Sequence, residues 1–190
     1  YVDPARCTAC GECLAVCPVS GPSFDEGALA PRQAIYRPPW RAVPRAFVID
    51  PQLCTHCGAC AEACPEGAVD LDMPAQTLAL HAGAVITAPG LEPFPAERKG
   101  EYGFGVLDNV VTSLQFERMI SFSGSTRGRL IRPSDGRPAR RLAFISCVGS
   151  RDESIGRPYC SSICCMITAK QAAIARELDA QVSCTVFYID

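Results

Sequence analysis

The sequence has few of the features that mark a membrane-spanning or secreted protein. Its longest weakly polar run, residues 78–91, is interrupted by His81, Gly83 and Pro89. The run falls short of the roughly 20 apolar residues that a membrane span needs. No apolar stretch of the kind found in a secretory signal peptide is present either. We therefore expect no transmembrane segment in these 190 residues.

The chain also lacks a charge excess and a conventional catalytic constellation. Its 18 Lys and Arg against 20 Asp and Glu leave a net charge of −2, which gives no electrostatic case for nucleic acid as a partner. The only two histidines, His56 and His81, are isolated in sequence. No Ser/His/Asp pattern or pair of acids stands out, so we expect no catalytic residues here and substrate chemistry elsewhere.

Cysteine, in contrast, is abundant, with thirteen in the chain. In a secreted protein this would suggest a disulfide scaffold. Eight of them fall in two copies of the spacing C-x2-C-x2-C-x3-C-P, which is that of bacterial two-cluster ferredoxins. This favours metal ligation in a reducing compartment, and we expect a protein in the cytoplasm or peripheral to a membrane complex. The first copy comprises Cys7, Cys10, Cys13 and Cys17, and the second comprises Cys54, Cys57, Cys60 and Cys64.

The spacing also predicts how the cysteines are shared between two clusters. In two-cluster ferredoxins the fourth cysteine of each motif binds the other cluster, since a helical turn after the third cysteine points the fourth thiolate away. A pair of zinc sites is the alternative, but it leaves one cysteine and the Cys-Pro of each copy unexplained. His56 is then surplus, in a solvent-facing loop. The predicted [4Fe–4S] ligands are Cys7, Cys10, Cys13 and Cys64 for one cluster and Cys17, Cys54, Cys57 and Cys60 for the other.

Residues 1–77 are predicted to form an α+β ferredoxin domain around these motifs. Short strands at residues 1–3 and 46–50 would lead into the two cysteine loops. The motifs are separated by a Pro- and Arg-bearing insert, residues 19–45, which contains the sole tryptophan, Trp40. Two interpretations of the insert stay open: a loop that covers one cluster, or a docking surface for a partner or neighbouring domain.

Residues 78–138 are predicted to be a partial flavin-domain segment and a connector. Strands are expected at residues 77–80 and 84–87, the second ending at a turn of small residues, Ala88-Pro89-Gly90. Such a turn lets backbone approach a dinucleotide such as FAD, although any buried strand can end this way. Further on, residues 114–121 are expected to be a helix, capped by Thr112 or Ser113. Its inner face would carry Leu114, Met119 and Ile120.

Residues 139–190 are predicted to begin a Rossmann-like βαβ unit. An apolar strand at residues 142–146 fits a parallel sheet buried on both faces, and a second strand is expected at residues 181–188. No G-x-G-x-x-G follows the first strand, which argues against a nicotinamide cofactor. The helix expected between the strands, residues 162–178, would bury residues at helical spacing: Ile163, Ile167, Ile174 and Leu178.

A third group of cysteines falls in this unit. Cys147 follows the first strand, while Cys160, Cys164 and Cys165 precede or begin the helix, whose N-terminus stabilises thiolates. If the helix starts early enough, Cys160 and Cys164 share one face. Two interpretations stay open: a third cluster site, or buried structural thiols or a redox disulfide, because adjacent cysteines rarely bind one metal. Cys184, in the middle of the last strand, is expected to be core.

Nine stretches together resemble the A subunit of heterodisulfide reductase and its bacterial relatives, and they cover nearly the whole chain. They are residues 24–27, 34–38, 98–105, 109–113, 116–118, 132–136, 147–153, 159–161 and 164–166.

The resemblance implies a thioredoxin-reductase-like, Rossmann-type α/β flavoprotein that carries an inserted two-cluster ferredoxin domain and binds FAD in its full-length form. It also implies a third, unusual [4Fe–4S] site held by the four cysteines of the third group. Two departures stand out. The family's first flavin-binding glycine motif lies upstream of the ferredoxin insert, and the present sequence begins after it. The family's Ala-Thr-Gly turn reads Ala88-Pro89-Gly90 here.

On this resemblance we expect an oxidoreductase subunit that relays single electrons between FAD, ferredoxin or a hydrogenase or dehydrogenase donor, and other heterodisulfide-reductase-type subunits, with flavin-based bifurcation. Alternatives are the corresponding subunit of a quinone-interacting membrane-bound oxidoreductase, and a non-enzymatic ferredoxin-like carrier or structural metal module. The chain starts without Met and ends in a strand-like run, residues 186–190, so we expect it to be a central piece of a longer protein.

Overall fold

A computed structural model describes residues 1–23, 27, 29–39, 41–74 and 77–189. The chain divides into two compact units, Tyr1–Thr87 and Ala88–Asp190. The boundaries that the sequence suggests at residues 77 and 138 stay predictions. Trp40, in the insert, and residues 24–26, in the first of the resembling stretches, lie outside the described residues. Among the described helices, none combines the length and the apolar character that crossing a bilayer requires.

The first unit is a small α+β arrangement in which each cysteine motif contains one helical turn, around its third cysteine. The strands pair antiparallel in two hairpin-like couples, β1 with β2 and β3 with β4. The elements in chain order are α1 (Glu12–Ala15), β1 (Ser20–Pro22), β2 (Pro31–Gln33), β3 (Ile35–Tyr36), β4 (Val48–Ile49) and α2 (Ala59–Glu62).

The strands that lead into the motifs are shorter than predicted. The first is a single antiparallel bridge from Val2 to Val69, and the second is the two-residue β4. The reason lies in the aspartate that follows each one. Asp3 Oδ1 accepts a hydrogen bond from the backbone of Ala5 at 2.9 Å, and Asp50 Oδ1 accepts one from Gln52 at 2.8 Å. Such local bonds turn the backbone out of an extended course.

The core of the first unit contains cysteines as well as aliphatic side chains. Ile35 is 1% exposed and Phe47 is 4% exposed. Cys13 and Cys60, the third cysteine of each motif, are buried in the same cluster. A core of this size rarely stabilises a domain by itself, and small domains commonly rely on bound metal. We therefore expect cofactor binding to contribute to folding of this unit.

The strands predicted at residues 77–80 and 84–87 are wrong. These residues form neither a strand nor a bridge with any of the described residues. Leu78 is 80% exposed and Ile86 is 94% exposed. A strand forms only where a neighbouring strand takes up its backbone hydrogen bonds, and the described part of the chain places none beside this segment.

The second unit contains the predicted βαβ arrangement. Strands β5 and β6 pair in parallel, with Leu142 opposite Cys184. Side chains along β5 alternate between half-buried and exposed, and Ile145 is 45% exposed. The prediction that the sheet is buried on both faces is therefore wrong for the described strands, because helix and loop residues pack against one face. The principal elements are α3 (Ser113–Ile120), β5 (Arg141–Ile145), α4 (Cys164–Leu178) and β6 (Ser183–Phe187).

Helix α3 begins as predicted. Thr112 Oγ1 accepts a hydrogen bond from the Gln115 backbone at 3.2 Å, and Gln115 Oε1 accepts one from the Thr112 backbone at 2.9 Å. This reciprocal capping box fixes the start of the helix. Its buried face carries Met119 and Ile120 as predicted, but Phe116 replaces Leu114, which is 44% exposed.

Helices α3 and α4 are joined through a buried polar contact. Gln171 is 2% exposed, and its Nε2 donates to the backbone oxygen of Ser113 at 2.8 Å and to Glu117 at 3.2 Å. The buried residues of α4 are thus Gln171 and Ala175, and not the residues at the two ends of the helix. Ile163 and Leu178, which the helical spacing assigns to that face, are exposed.

Candidate metal centres

The two cysteine motifs adopt the same backbone conformation. The residue before the second cysteine is left-handed in both, with φ 57° at Ala9 and 56° at His56. The glycine after that cysteine is left-handed too, with φ 98° at Gly11 and 84° at Gly58. Glycine adopts positive φ at little cost, which explains its place in both copies. Loops of this kind turn successive N–H groups towards an anionic group.

Each loop is anchored by the aspartate four residues before its first cysteine. The Cys7 backbone donates to the Asp3 carbonyl at 3.0 Å, and the Cys54 backbone donates to the Asp50 carbonyl at 2.9 Å. The repeated D-P-x-x-C that contains these aspartates is visible in the sequence, although the cysteine spacing alone does not draw attention to it. The anchors set where each loop begins.

The insert between the motifs contacts the second anchor. Arg32, in β2, pairs with Asp50 at 2.7 Å. Its guanidinium also lies 3.7 Å from the centre of the Tyr36 ring. Both members of the ion pair are largely shielded, so the pair is less screened than a surface pair. The described part of the insert therefore packs against the second motif, which favours its interpretation as a cover.

Four thiols from both motifs line one cavity. Burial and the neighbouring thiols of Cys7 and Cys64 raise the pKa of the Cys13 thiol to about 11. The fourth cysteine of the second motif thus lies beside the first three of the first motif. The cavity is lined by Cys7, Cys10, Cys13 and Cys64, with Val2, Phe47, Ala68 and Val69 among its apolar walls.

A second cavity has the reciprocal composition, with three cysteines of the second motif and the fourth cysteine of the first. Burial, followed by the neighbouring Cys54 thiol, raises the pKa of the Cys60 thiol, and Cys17 adds to the shift. The structure therefore brings together the two three-plus-one sets that the spacing predicts. The cavity is lined by Cys17, Cys54, Cys57 and Cys60, with Val19, Ala34, Ile35, Ile49 and Leu71 as apolar walls.

The donor sets and cavities fit [4Fe–4S] clusters. The sulfurs already receive backbone donors, from His56 to Cys54 Sγ at 3.4 Å and from Ala68 to Cys64 Sγ at 3.3 Å. Crowded thiolates repel one another. When the thiols lose their protons and bind a positively charged iron–sulfur core, its charge offsets this repulsion. Among the described residues, no three His, Cys, Asp or Glu side chains are arranged to hold a single metal ion; the thiols surround cavities instead.

The third cysteine group is assembled from separate elements of the second unit. Cys147 lies two residues beyond β5, buried, with a left-handed φ of 64°. Cys164 and Cys165 are the first residues of α4, whereas Cys160 precedes the helix in irregular backbone. The condition under which Cys160 and Cys164 would share one helix face is therefore not met, because α4 begins only at Cys164.

The four thiols of this group nevertheless lie close enough to influence one another. Burial raises the pKa of the Cys164 thiol, but hydrogen bonds from Cys147, Ser161 and Cys165 outweigh it, and the pKa falls below its ordinary value. The pKa of Cys165 is raised by the charge of Cys164 first, with contributions from Cys147 and Cys160. These influences on the pKa values indicate that Cys147, Cys160, Cys164 and Cys165 are neighbours.

Comparison with known proteins agrees with the first unit's geometry. Two profiles, each described as a 4Fe-4S dicluster domain, match residues 6–68 and 46–103. The two matches overlap and between them cover both cysteine motifs. The chain therefore carries the 4Fe–4S dicluster type of iron–sulfur domain.

Relatives align over the entire chain. The A subunit of the H(2)/formate:CoB-CoM heterodisulfide,ferredoxin reductase of Methanococcus maripaludis is 50% identical over 190 residues, which are 100% of this chain and 29% of that protein. Iron-sulfur A subunit 2 of the CoB--CoM heterodisulfide reductase of Methanopyrus kandleri is 50% identical over 191 residues, again 100% and 29%. Over its whole length, this chain is therefore similar to a segment of heterodisulfide reductase A subunits.

The alignment with the heterodisulfide reductase A subunits also defines how much of such a protein the chain represents. The A subunit of the Ferredoxin/F(420)H(2)-dependent CoB-CoM heterodisulfide reductase of Methanosarcina acetivorans is 41% identical over 191 residues, covering 100% of this chain and 24% of that protein. The chain thus spans roughly a quarter of the length of these A subunits.

Two further sequence predictions concern residues outside the cysteine groups. Cys184 is half-buried in the core beside α4, with Sγ 4.0 Å from the Ala172 carbonyl, and burial raises its pKa. Its assignment to the core is confirmed. Ala88, Pro89 and Gly90 lie exposed, and a Cβ at Gly90 would meet no atom within 4 Å. The described residues at this turn do not form a cradle that fits FAD.

Proposed function

We propose that this chain is the iron–sulfur segment of a heterodisulfide-reductase-type A subunit. In this proposal it relays single electrons between FAD of the full-length protein, ferredoxin and partner subunits, as in flavin-based bifurcation. The observation that carries the proposal is that the two cysteine motifs form two four-thiol sets, each of which lines one cavity. The mutual influence of four further cysteines on their pKa values supports a third set. We place the protein in the cytoplasm, where thiols stay reduced.

The ligand sets proposed are those that the geometry groups. Cys7, Cys10, Cys13 and Cys64 would hold the first [4Fe–4S] cluster, Cys17, Cys54, Cys57 and Cys60 the second, and Cys147, Cys160, Cys164 and Cys165 the third. Bound clusters supply reversible one-electron chemistry.

The chain's other residues would tune this chemistry through hydrogen bonding and solvent access. Backbone donors such as those of His56 and Ala68 stabilise negative charge on sulfur. Ile35 and Phe47 line the cavities with apolar surface that excludes water. Hydration and hydrogen bonds both influence cluster potentials, so these residues would help to set the potential of each cluster.

The proposed partners follow from the relatives. Their names describe A subunits that work with H(2) or formate and ferredoxin, and with CoB-CoM heterodisulfide. We propose hydrogenase, formate dehydrogenase or ferredoxin as the electron donor. The βαβ unit supports a Rossmann-type flavoprotein domain in the full-length protein. Neither the geometry nor these relatives favour the quinone-linked subunit or the free carrier.

The proposal is tested by reducing the full-length protein with ferredoxin under anaerobic conditions. We expect the visible iron–sulfur absorbance to bleach on mixing and to recover when an acceptor subunit is added. A Cys60→Ser variant should slow transfer to the acceptor, while Cys184→Ser behaves like the native protein. Transfer at the native rate in a variant that has lost both paired clusters would contradict the proposal.

A further inference from the structure

The segment from Cys147 to Cys160 positions two cysteines that lie in neither a helix nor a strand. Its tip is closed by a short bridge, in which Asp152 N donates to the Arg157 carbonyl at 2.8 Å and Arg157 N donates to the Asp152 carbonyl at 3.0 Å. Cys160, beyond this tip, is exposed and irregular in backbone. Specific contacts must therefore fix Cys160 relative to Cys147.

Ser150 makes those contacts. Its backbone N–H donates to the Cys147 carbonyl at 3.0 Å, which closes a turn directly after that cysteine. Its hydroxyl oxygen accepts a hydrogen bond from Ser161 N at 2.9 Å and donates to the Tyr159 carbonyl at 3.1 Å. Tyr159 C=O and Ser161 N belong to the two peptide units on either side of Cys160. One side chain thus holds both peptide groups of that cysteine.

The contact is internal and needs a hydroxyl. Ser150 is 6% exposed, and a buried polar group has to be satisfied by partners within the protein. Only a hydroxyl side chain of this size both donates and accepts. The Tyr159 carbonyl also accepts from Arg151 N at 2.9 Å, so it keeps a partner if the hydroxyl is removed. Loss of the hydroxyl should therefore free Cys160 without unfolding the segment.

We propose that Ser150 is a positioning residue for the third cysteine group. Its hydroxyl holds the Cys160 ligand in place relative to Cys147, and so determines how firmly this group retains a cluster. The inference rests on the proposed third [4Fe–4S] cluster. Removal of hydrogen bonds that orient metal ligands typically costs about 10–100-fold in metal affinity or activity.

The test uses the anaerobically prepared full-length protein and electron paramagnetic resonance (EPR). The signal that disappears in Cys164→Ser defines the third cluster. In Ser150→Ala this signal should change its g values, and its loss to an iron chelator should become about 10–100-fold faster. The signals of the paired clusters should keep their spectra and rates. Ser150→Thr, which retains the hydroxyl, should restore the native signal and rate.

Ser154→Ala is the matched control from the same segment. The Ser154 hydroxyl donates to Asp152 Oδ1 at 2.5 Å, within its own turn, so this variant should leave the third signal unchanged. An unchanged third signal and chelation rate in Ser150→Ala would overturn the role of Ser150 alone. If Cys164→Ser removes no signal, the proposed third cluster fails, and the role of Ser150 with it.

Discussion

Two sets of thiols in the first unit come from two copies of one loop, whereas the set in the second unit comes from three different pieces of chain. In the paired loops, left-handed residues occur at matching positions, Ala9 with His56 and Gly11 with Gly58. In the third group, a strand end, an irregular segment and a helix start each contribute. The first arrangement is encoded locally, and the second depends on tertiary structure.

This difference predicts different dependence on the surrounding fold. The paired loops share a core with their own third cysteines, Cys13 and Cys60, so loss of a cluster should loosen the unit that holds it. The third group lies at one end of a βαβ unit whose core is formed by other residues, including Phe116 and Ala175. That unit should stay folded when the third group is empty.

The largest expected effect is that of Cys60→Ser. The variant should lose about four iron atoms per chain and the cooperative unfolding of the first unit, because Cys60 is a proposed ligand and also a buried core residue. Iron analysis and thermal unfolding followed by circular dichroism measure the two effects. Cys184→Ser, which changes a core thiol outside the groups, should keep its iron. Full iron content in Cys60→Ser would contradict the proposal that Cys60 binds one of the paired clusters.

Cys164→Ser should lose the same amount of iron with a smaller structural effect. We expect one EPR signal to disappear while the paired signals and the melting of both units persist, because the βαβ core does not involve Cys164. Melting of the second unit at a much lower temperature would show that the third group supports its fold after all.

Gly149→Ala tests how strongly the second unit constrains the segment after Cys147. Gly149 has φ 75°, and an added Cβ would lie 2.1 Å from Cγ of Phe94. We expect a loss of about 1–3 kcal/mol of unfolding free energy in that unit. Gly136→Ala is the control, since φ is 67° there and no atom lies within 4 Å. Equal losses in both variants would show that the clash with Phe94 contributes nothing. A smaller loss when Gly149→Ala is combined with Phe94→Ala would support the clash as the cause.

Thr112→Ala should cost about 1 kcal/mol of unfolding free energy, the usual cost of a lost helix cap. The capping box joins Thr112 and Gln115 at the start of α3, so the loss should appear in the second unit alone. Denaturant titration measures it. Thr112→Ser, which keeps the oxygen, should unfold at nearly the native midpoint; a shift equal to that of Thr112→Ala would contradict the capping role.

The smallest effect expected is on the acid stability of the second unit. Hydrogen bonds from Lys99 and then Ser154 lower the pKa of Asp152. A carboxyl with a lowered folded-state pKa stabilises the fold above its ordinary pKa, and this contribution is lost as the pH falls through the folded value. Asp152→Asn should therefore flatten the decline in unfolding temperature below about pH 4. The neighbouring Glu153→Gln should decline like the native protein.

Structure that depends on neighbouring residues was predicted from the sequence more accurately than structure that depends on contacts between distant residues. The cysteine spacing led to both three-plus-one sets, and the polar residues before α3 led to its cap. The strands at residues 77–80 and 84–87 could not be predicted correctly from their apolar pattern, because whether an extended segment pairs depends on which other strand lies beside it. The role of Ser150 was also invisible, since its partners lie nine and eleven residues away in a loop without periodicity.

The most direct test of three four-thiol groups is iron and acid-labile sulfide analysis of the anaerobically prepared 190-residue chain, with EPR of the reduced protein. We predict about twelve iron and about twelve sulfide per chain, with three EPR-active clusters. About eight of each would leave the paired loops as the only cluster sites. Zinc in place of iron would contradict the account as a whole.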